Sequence, residues 1–325
     1  MRVLVTGGAG YIGSVITEEL LRAEHEVTVF DNLSKGHSSA VADGANFVKG
    51  ELLDREAVHN ALRDNNVEAV IHMAAFSLVG ESMQRPRDYY RNNVEASMVL
   101  LNAMFDCDVK NVVFSSTAAV YGEPSKQPIE ENDPTQPTNP YGETKLTFEK
   151  MLQWYSQIHG LQYTSLRYFN AAGATQMNGE VHDPETHIIP AILQVAQGKK
   201  SHVDVFGGDY PTRDGTCVRD YIHVLDLARA HILALNIRRN KGSIFNLGCG
   251  GNGYSIQEVL DAARKITGHP IPSRVTDRRP GDPSVLIASS ERIQKELGWK
   301  PQFQDLHTII ESAWKWMLAH PNGYQ

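Results

Sequence analysis

The chain opens Val3-Leu4-Val5-Thr6-Gly7-Gly8-Ala9-Gly10-Tyr11-Ile12-Gly13. A short β-branched run meets three glycines spaced GxxGxxG (Gly7, Gly10, Gly13), and a helical stripe follows from Ile12 to Ala23, with Ile16, Leu20 and Ala23 on one side. Glycine admits positive φ and lets the backbone come close to a phosphate. The helix start adds free N–H groups and partial positive charge. By itself the pattern is only a tight strand-to-helix turn. Asp31 decides the reading, because it closes the next β-branched run, Val27 to Asp31, about 20 residues on. A dinucleotide fold keeps there the acid that bonds the adenosine ribose hydroxyls. A carboxylate in that place repels a 2′-phosphate, so NAD is favoured over NADP.

Outward from this unit, strand and helix alternate. Asn46 to Lys49, Ala69 to Met73, Val112 to Ser116 and Tyr163 to Phe169 read as strands, and Asn93 to Phe105 as a helix. Continuous apolar strands between helices predict an α/β fold: a doubly wound, Rossmann-like parallel sheet. After Ala171 the alternation loosens, and Gly, Pro and His crowd Gly179 to Pro190. Val224 to Ile237 then reads as a helix and Ile244 to Leu247 as a strand rejoining the sheet. The expected organisation is a cofactor domain of 1–170 with 221–248, and a smaller α/β substrate lobe of 171–220 and 249–325.

The 325 residues are 41% apolar and 21% charged, ordinary globular composition. Thirty-one basic against 38 acidic side chains leave a net charge of −7, with no basic stripe to suit a nucleic-acid partner. No apolar run nears the ~20 residues a membrane helix needs, and no targeting segment is visible. Cys107, Cys217 and Cys249 lie far apart and form no CxxC, which points to a cytoplasmic protein without disulfides. The 13 histidines show no HExxH, and His182 and His187 flank a proline in a loop, so no metal site is expected.

Chemistry enters with Tyr141-Gly142-Glu143-Thr144-Lys145. Asn139 and Pro140 make a good helix start, and Tyr141 and Lys145 then share one face at i and i+4. A tyrosine base needs its pKa of ~10 lowered, which a neighbouring ammonium and a cationic nicotinamide favour. Ser115-Ser116-Thr117 ends a strand, at the sheet edge where open α/β folds bind ligands.

Glycine turn, strand-end hydroxyls and YxxxK together resemble the extended short-chain dehydrogenase/reductases, and within them the nucleotide-sugar epimerases. The likeness runs through Asp31-Asn32-Leu33, Arg167-Tyr168-Phe169-Asn170, Asp209 to Val224, Arg279-Pro280-Gly281-Asp282 and the closing His320 to Tyr324. It implies interconversion of UDP-glucose and UDP-galactose: oxidation at C4, rotation of a 4-keto sugar, and return of the hydride to its other face, with NAD retained. By the resemblance Tyr141 is the base, Lys145 holds the nicotinamide ribose and lowers the tyrosine pKa, and Thr117 bonds the 4-oxygen. Cofactor contacts would be Gly7, Gly10, Tyr11, Ile12, Gly13, Asp31, Asn32, Glu51, Leu52, Ala74, Asn93, Ser115 and Tyr168, besides Tyr141 and Lys145. For the UDP-hexose, Asn170, Arg219 and Arg279 would take the diphosphate, Phe206 the uracil and Asp282 the ribose, with His187, Ile188, Thr117 and Leu286 also in the substrate site. A homodimer built on the helices Arg85 to Phe105 and Pro140 to His159 is implied as well.

Three positions depart from the family pattern. Thr117 replaces a common Ser, Glu51 an adenine-binding Asp, and Ser77 a Lys near the phosphates. A nucleotide-sugar dehydratase would need an acid and a base after Thr117, where Ala118-Ala119 supply neither. A non-catalytic NAD-sensing protein would have no use for Tyr141 and Lys145. Arg219 and Arg279 have Asp220 and Asp282 close in sequence, and Arg219 alone reads better as a surface ion pair than as a diphosphate ligand. Leu286 falls where relatives border the sugar 2-substituent, and reads equally as a core leucine.

Overall fold

Strand β1 (Arg2–Thr6) alternates between two cores: Val3 and Val5 pack on one side and Leu4 on the other, all of them buried. A strand covered on both faces belongs inside a parallel sheet. The computed structural model describes residues 1–237, 242–279 and 281–324; Pro280, within the Arg279–Asp282 run, lies outside them. β1 pairs in parallel with β2 (Glu26–Asp31) and, on its other edge, with β4 (Ala69–His72). β3 (Asn46–Lys49) extends one wing, and β5 (Asn111–Thr117), β6 (Gln162–Tyr168) and Ser243–Leu247 extend the other. The chain thus reverses direction across the sheet between β1 and β4, which opens a crevice at their carboxyl ends.

Helices cover both faces. α1 (Tyr11–Arg22) shares a core with Val3 and Val5. α2 (Arg55–Asp64) packs on the opposite face with Leu4. The helix expected over 85–105 is broken. α3 (Val79–Gln84) stops at Arg85, whose φ is −128°, and Pro86 begins a new segment, α4 (Pro86–Tyr90). Proline has no N–H to continue the first helix but suits the first turn of the next. A wider π turn, Arg91–Glu95, then leads into α5 (Ala96–Asp106). α6 (Pro140–His159) has the expected limits; Asn139 Oδ1 caps it by accepting from the Gly142 N–H at 2.9 Å.

Beyond β6 the chain builds a second core. β7 (Asn170–Ala172), α7 (Ile188–Ala196), β8 (Val203–Phe206), β9 (Val218–Arg219) and β10 (Tyr221–His223) precede α8 (Val224–Leu235) and β11 (Ser243–Leu247). β11 joins β6 in the main sheet and α8 packs in the core of α1, as the returning segment predicts. Next come β12 (Tyr254–Ser255), α9 (Ile256–Thr267), β13 (Ser273–Thr276), β14 (Val285–Leu286), α10 (Glu291–Leu297) and α11 (Leu306–Ala319). Ile192, Val259, Ile309 and Trp316 hold α7, α9 and α11 together. Ile293 and Trp299, expected in the second lobe, pack instead in the first core, where the Trp299 indole N–H bonds the Asp226 carbonyl at 3.0 Å.

One buried ion pair ties α6 to the sheet. Arg167 of β6 meets Glu149 with two bonds, Nε to Oε1 at 2.9 Å and Nη2 to Oε2 at 2.5 Å, both side chains almost fully shielded. Ser116 of β5 also donates to Oε1. Arg167 Nη1 donates to the Tyr121 hydroxyl (2.9 Å), which donates to Asn246 of β11 (2.7 Å). Such a pair contributes little over an apolar one, but losing one partner strands the other's charge. Arg167→Leu is therefore expected to lose about 3–5 kcal/mol of stability in urea unfolding, and Arg167→Leu with Glu149→Leu to recover most of it. A single variant within about 1 kcal/mol of wild type would contradict this account.

Candidate active site

The glycine turn sits at the crevice between β1 and β4. Gly7 has φ +70°, and a Cβ on it would stand 2.6 Å from the Ala74 amide nitrogen beyond β4. Gly13 is pressed against the turn, with its Cβ position 2.2 Å from the Gly7 oxygen. Gly10 is different: its φ is −84°, and a Cβ there meets only the Gly7 oxygen, at 3.3 Å. The fold needs glycine at 7 and 13 for its own packing, but at 10 hardly at all. Gly10 also leaves the start of α1 without a side-chain cap, whereas Asp54, Asn139, Ser255 and Asp305 cap other helices. Uncapped N–H groups behind a residue with no side chain are what a pyrophosphate requires. Ile12 and the buried Tyr11 start that helix, and the Tyr11 hydroxyl donates to the Gly173 carbonyl at 2.6 Å, tying the turn to the second lobe.

At the end of β2, Asp31 Oδ2 accepts from the Ala9 N–H (3.0 Å) and Oδ1 from the Leu33 N–H (2.8 Å). The carboxylate is aimed at the turn, with lone pairs left for two ribose hydroxyls. Asn32 and Glu51 lie together, Nδ2 to Oε2 at 2.8 Å, beside the buried Leu52. The longer Glu51 side chain therefore reaches the same wing of the crevice. Ser77 is exposed. Asn93 spends its amide on the protein: it accepts from the Phe76 N–H (2.8 Å) and donates to the Phe76 carbonyl (3.0 Å) and to Thr144 (3.1 Å). It fixes the Ala74–Leu78 loop against α6.

The YxxxK helix brings its residues to the end of β5. Lys145 is buried, donates to the Ser115 carbonyl at 2.8 Å and lies 4.9 Å over the Phe114 ring. Burial drives its pKa down to about 7, against the upward pull of Glu149 one turn on. Burial raises the Tyr141 phenol, and its hydrogen bond with Thr117 opposes the rise. The sequence predicts that Lys145 lowers the tyrosine pKa. Here desolvation dominates both groups, and a phenolate needs a further positive charge beside it. Tyr168 is also pushed up by burial, and its hydroxyl bonds Ser115. Thr117, Tyr141, Lys145, Ser115 and Tyr168 thus form one connected group.

Asn170, Phe206, Arg219 and Leu286 lie on the second lobe's short strands, with Arg279 and Asp282 in the loop before β14. Arg219 Nη2 pairs with Asp282 Oδ1 at 3.1 Å, and the Arg279 guanidinium lies 3.8 Å over the Phe206 ring. Leu286 opposes Arg219 across β9–β14 and packs against the cluster of Ala118, Phe169 and Ala288. Asn170 donates from backbone and side chain to the Asp220 carbonyl, at 3.0 and 3.3 Å. Asp220 does not pair with Arg219. Its carboxylate accepts the N–H groups of Cys249, Gly250 and Ala288 at 2.8 to 3.1 Å, and burial lifts its pKa to about 6. The sequence shows Asp220 only as a possible ion-pair partner; its role as a hub for three segments is visible only when folded.

His187 and Ile188 stand apart from that set, at the start of α7. The His187 ring faces Glu180 at 2.6 Å and Glu185 at 3.5 Å, and His182 faces the same two carboxylates at 3.2 and 3.7 Å. Burial works to lower both imidazoles, but the two carboxylates outweigh it and raise His182 to about 9 and His187 to about 10. The loop position of E-x-H-x-x-E-x-H hides this grouping from a search for helical ligand spacing.

The sequence profile of the NAD dependent epimerase/dehydratase family matches residues 3–248. The chain belongs to this family. It is 53% identical to a UDP-glucose 4-epimerase of Halalkalibacterium halodurans, over all of this chain and 98% of that one. It superposes on the Bifidobacterium longum UDP-glucose 4-epimerase in complex with NAD+ and UDP with a TM-score of 0.96, at 38% identity and full coverage of both. The UDP-Glc/GlcNAc 4-epimerase of Campylobacter jejuni gives 0.86 at 37% identity, covering 98% and 99%. Ala118 and Ala119, which follow Thr117, carry no acid or base of the kind a dehydratase needs there.

Tyr141→Phe keeps the ring and removes the ionisable oxygen. Turnover of UDP-galactose is expected to fall at least ~10²-fold with folding intact. Thr117→Val should also slow it, while Thr117→Ser keeps the hydroxyl and the rate. Near-normal turnover by Tyr141→Phe would move the proton to another group.

Proposed function

We propose that this chain interconverts UDP-glucose and UDP-galactose, on the strength of one observation above all: Thr117, Tyr141 and Lys145 converge at the end of β5, next to a dinucleotide crevice. NAD, when bound, supplies the acceptor for the hydride of sugar C4 and later returns it. The residues present fit that group: Gly10 and the open start of α1 would hold the pyrophosphate, and Asp31 would take the adenosine ribose with Asn32 and Glu51 beside it.

Tyr141 removes the proton of the 4-hydroxyl, and Thr117 holds the same oxygen in line. Lys145 anchors a ribose hydroxyl and, carried by the Ser115 carbonyl, adds positive charge on that side of the phenol. Arg219, Arg279 and Asn170 hold the diphosphate, since guanidinium groups match phosphate oxygens in pairs. Asp282 and Phe206 take the uridine. An anchored nucleotide keeps the keto sugar near its reacting partners while the ring turns. Cofactor residues then lie in 1–170 and 221–248, and substrate residues mainly in 171–220 and 249–325.

The chain acts as a homodimer. Met98, Phe105, Trp154 and Ile158 are exposed on α5 and α6, two helices joined by a Tyr155–Asn102 hydrogen bond and a Phe105–His159 ring contact. Large apolar side chains exposed on two adjoining helices suit an interface. Cys107, Cys217 and Cys249 are unpaired, in keeping with the cytoplasm. Among the described residues no helix is long and apolar enough to cross a membrane.

The test is direct. Purified protein should convert UDP-galactose to UDP-glucose with no added reductant, release NAD or NADH on denaturation, and sediment at twice the chain mass. Mainly NADP in the released nucleotide, or no conversion by cofactor-loaded protein, overturns the reading.

Leu286 sets the substrate range. It is half-buried against Ala118, which follows the Thr117 that bonds the 4-oxygen. Its flexible chain leaves room beside the sugar 2-substituent. UDP-N-acetylglucosamine is expected to be epimerised more slowly than UDP-glucose. Leu286→Tyr should abolish the N-acetyl activity and spare the hexose, because the clash exists only for the larger group. Joint loss of both activities would remove Leu286 from this role.

A further inference from the structure

The loop between β7 and α7 gathers four side chains that the proposed reaction does not use as acids, bases or nucleophiles. Glu180, His182, Glu185 and His187 bring one ligand atom each within 4.8 Å of all the others. The four imidazole-to-carboxylate distances, 2.6, 3.2, 3.5 and 3.7 Å, bracket the ~3.3 Å edge of a tetrahedron with ~2.05 Å metal–ligand bonds. Both histidines present Nδ1 to the centre. The carboxylates are nearly closed off from solvent, with side chains 9% and 3% exposed.

A second observation is independent of this spacing. His182 Nδ1 is buried and makes no hydrogen bond of acceptable geometry, although carboxylate oxygens lie on two sides of it. A pure ion-pair cluster would turn that nitrogen to donate. A buried imidazole nitrogen without a hydrogen bond, within 3.2 and 3.7 Å of two carboxylates, is placed as a metal ligand would be.

We propose that Glu180, His182, Glu185 and His187 form a closed, four-coordinate site for a divalent zinc-class ion. Two imidazoles and two carboxylates suit zinc, and four protein ligands leave no open position, which makes the site structural. Its place gives it a purpose. The His182 ring sits edge-on to Tyr11, 6.4 Å between centres, at the start of α1. Lys35 donates to the Asp183 carbonyl at 3.0 Å. His187 precedes α7, whose residues Ile189 and Ile192 lie in the second core. The ion clamps the second lobe's loop over the glycine turn.

The experiment uses the full chain with its nucleotide retained. Protein stripped with chelator is equilibrated with Zn2+, desalted and analysed by plasma mass spectrometry, alongside His182→Gln/Glu185→Gln. About one zinc per chain is expected in wild type and under about a tenth in the double variant. Co2+ in place of zinc should give the intense visible absorption of a four-coordinate ion in wild type alone. Zinc should also raise the melting temperature of the stripped wild type by several degrees, roughly. Substoichiometric zinc in wild type, a six-coordinate cobalt spectrum, no melting shift, or equal metal in the double variant overturns the proposal. If the double variant does not fold, the wild-type cobalt spectrum and melting shift decide it without that protein.

Discussion

The bidentate pair between Arg167 and Glu149 sets the rotation of α6, and the chemistry depends on that rotation. Glu149 lies one turn beyond Lys145 and two beyond Tyr141, so all three share a face of the helix. Fixing Glu149 against β6, with Ser116 of β5 bonded to the same oxygen, fixes the phase of the helix over both strands. Only in that phase does Lys145 reach the Ser115 carbonyl and Tyr141 reach Thr117. The pair also determines where charge is allowed. Arg167 neutralises Glu149 deep in the fold, yet Glu149 still pulls upward on Lys145. Burial outweighs that pull and holds the Lys145 pKa down, at about 7.

Two further hubs place cofactor and substrate in register. The first is the crevice at the reversal of strand order, where Gly7 and Ala74 approach so closely that neither strand end tolerates a side chain at position 7. The second is Asp220, which gathers Asn170, the turn at Cys249–Gly250 and the end of β14 on one buried side chain and its carbonyl. Since β7 follows directly from β6, and β6 neighbours β5, the second hub is built on the strands that carry Thr117 and Tyr168. The second core is thereby tied to the strands that carry Thr117 and Tyr168.

The first six strands, α1, α6 and the returning strand were legible because each carries its own period and its own stop signal. Gly7 to Gly13, Asp31 and Asn139-Pro140 are local features, readable within a few residues. The break at Pro86 is equally local, since a proline inside a helical pattern argues for an end, but the apolar stripe over 85–105 masks it. What could not be read was produced by distance. Arg219 prefers Asp282 over its neighbour Asp220 because β9 and β14 pair across some sixty residues of chain. The desolvation that raises Tyr141, against the lowering expected from Lys145, is a property of the packed site. Glu180 to His187 formed no recognisable ligand spacing because a loop, not a helix face, brings them together.

The same geometry accounts for an epimerase in place of a dehydratase. At the nucleotide end every candidate contact is already braced: Arg219 by Asp282, Arg279 by Phe206, Asn170 by Asp220. Braced groups lose little freedom on binding and hold the diphosphate in one place. Next to Thr117, the cluster around Ala118, Phe169 and Leu286 is apolar, with no acid to protonate a leaving hydroxyl. An apolar wall also forms no directional bond that must break when the keto sugar turns over. Tight hold at one end and a featureless surface at the other lower the barrier to rotation without raising the rate of escape. Ala118 and Ala119, straight after Thr117, supply neither the acid nor the base that an elimination after the common oxidation would need.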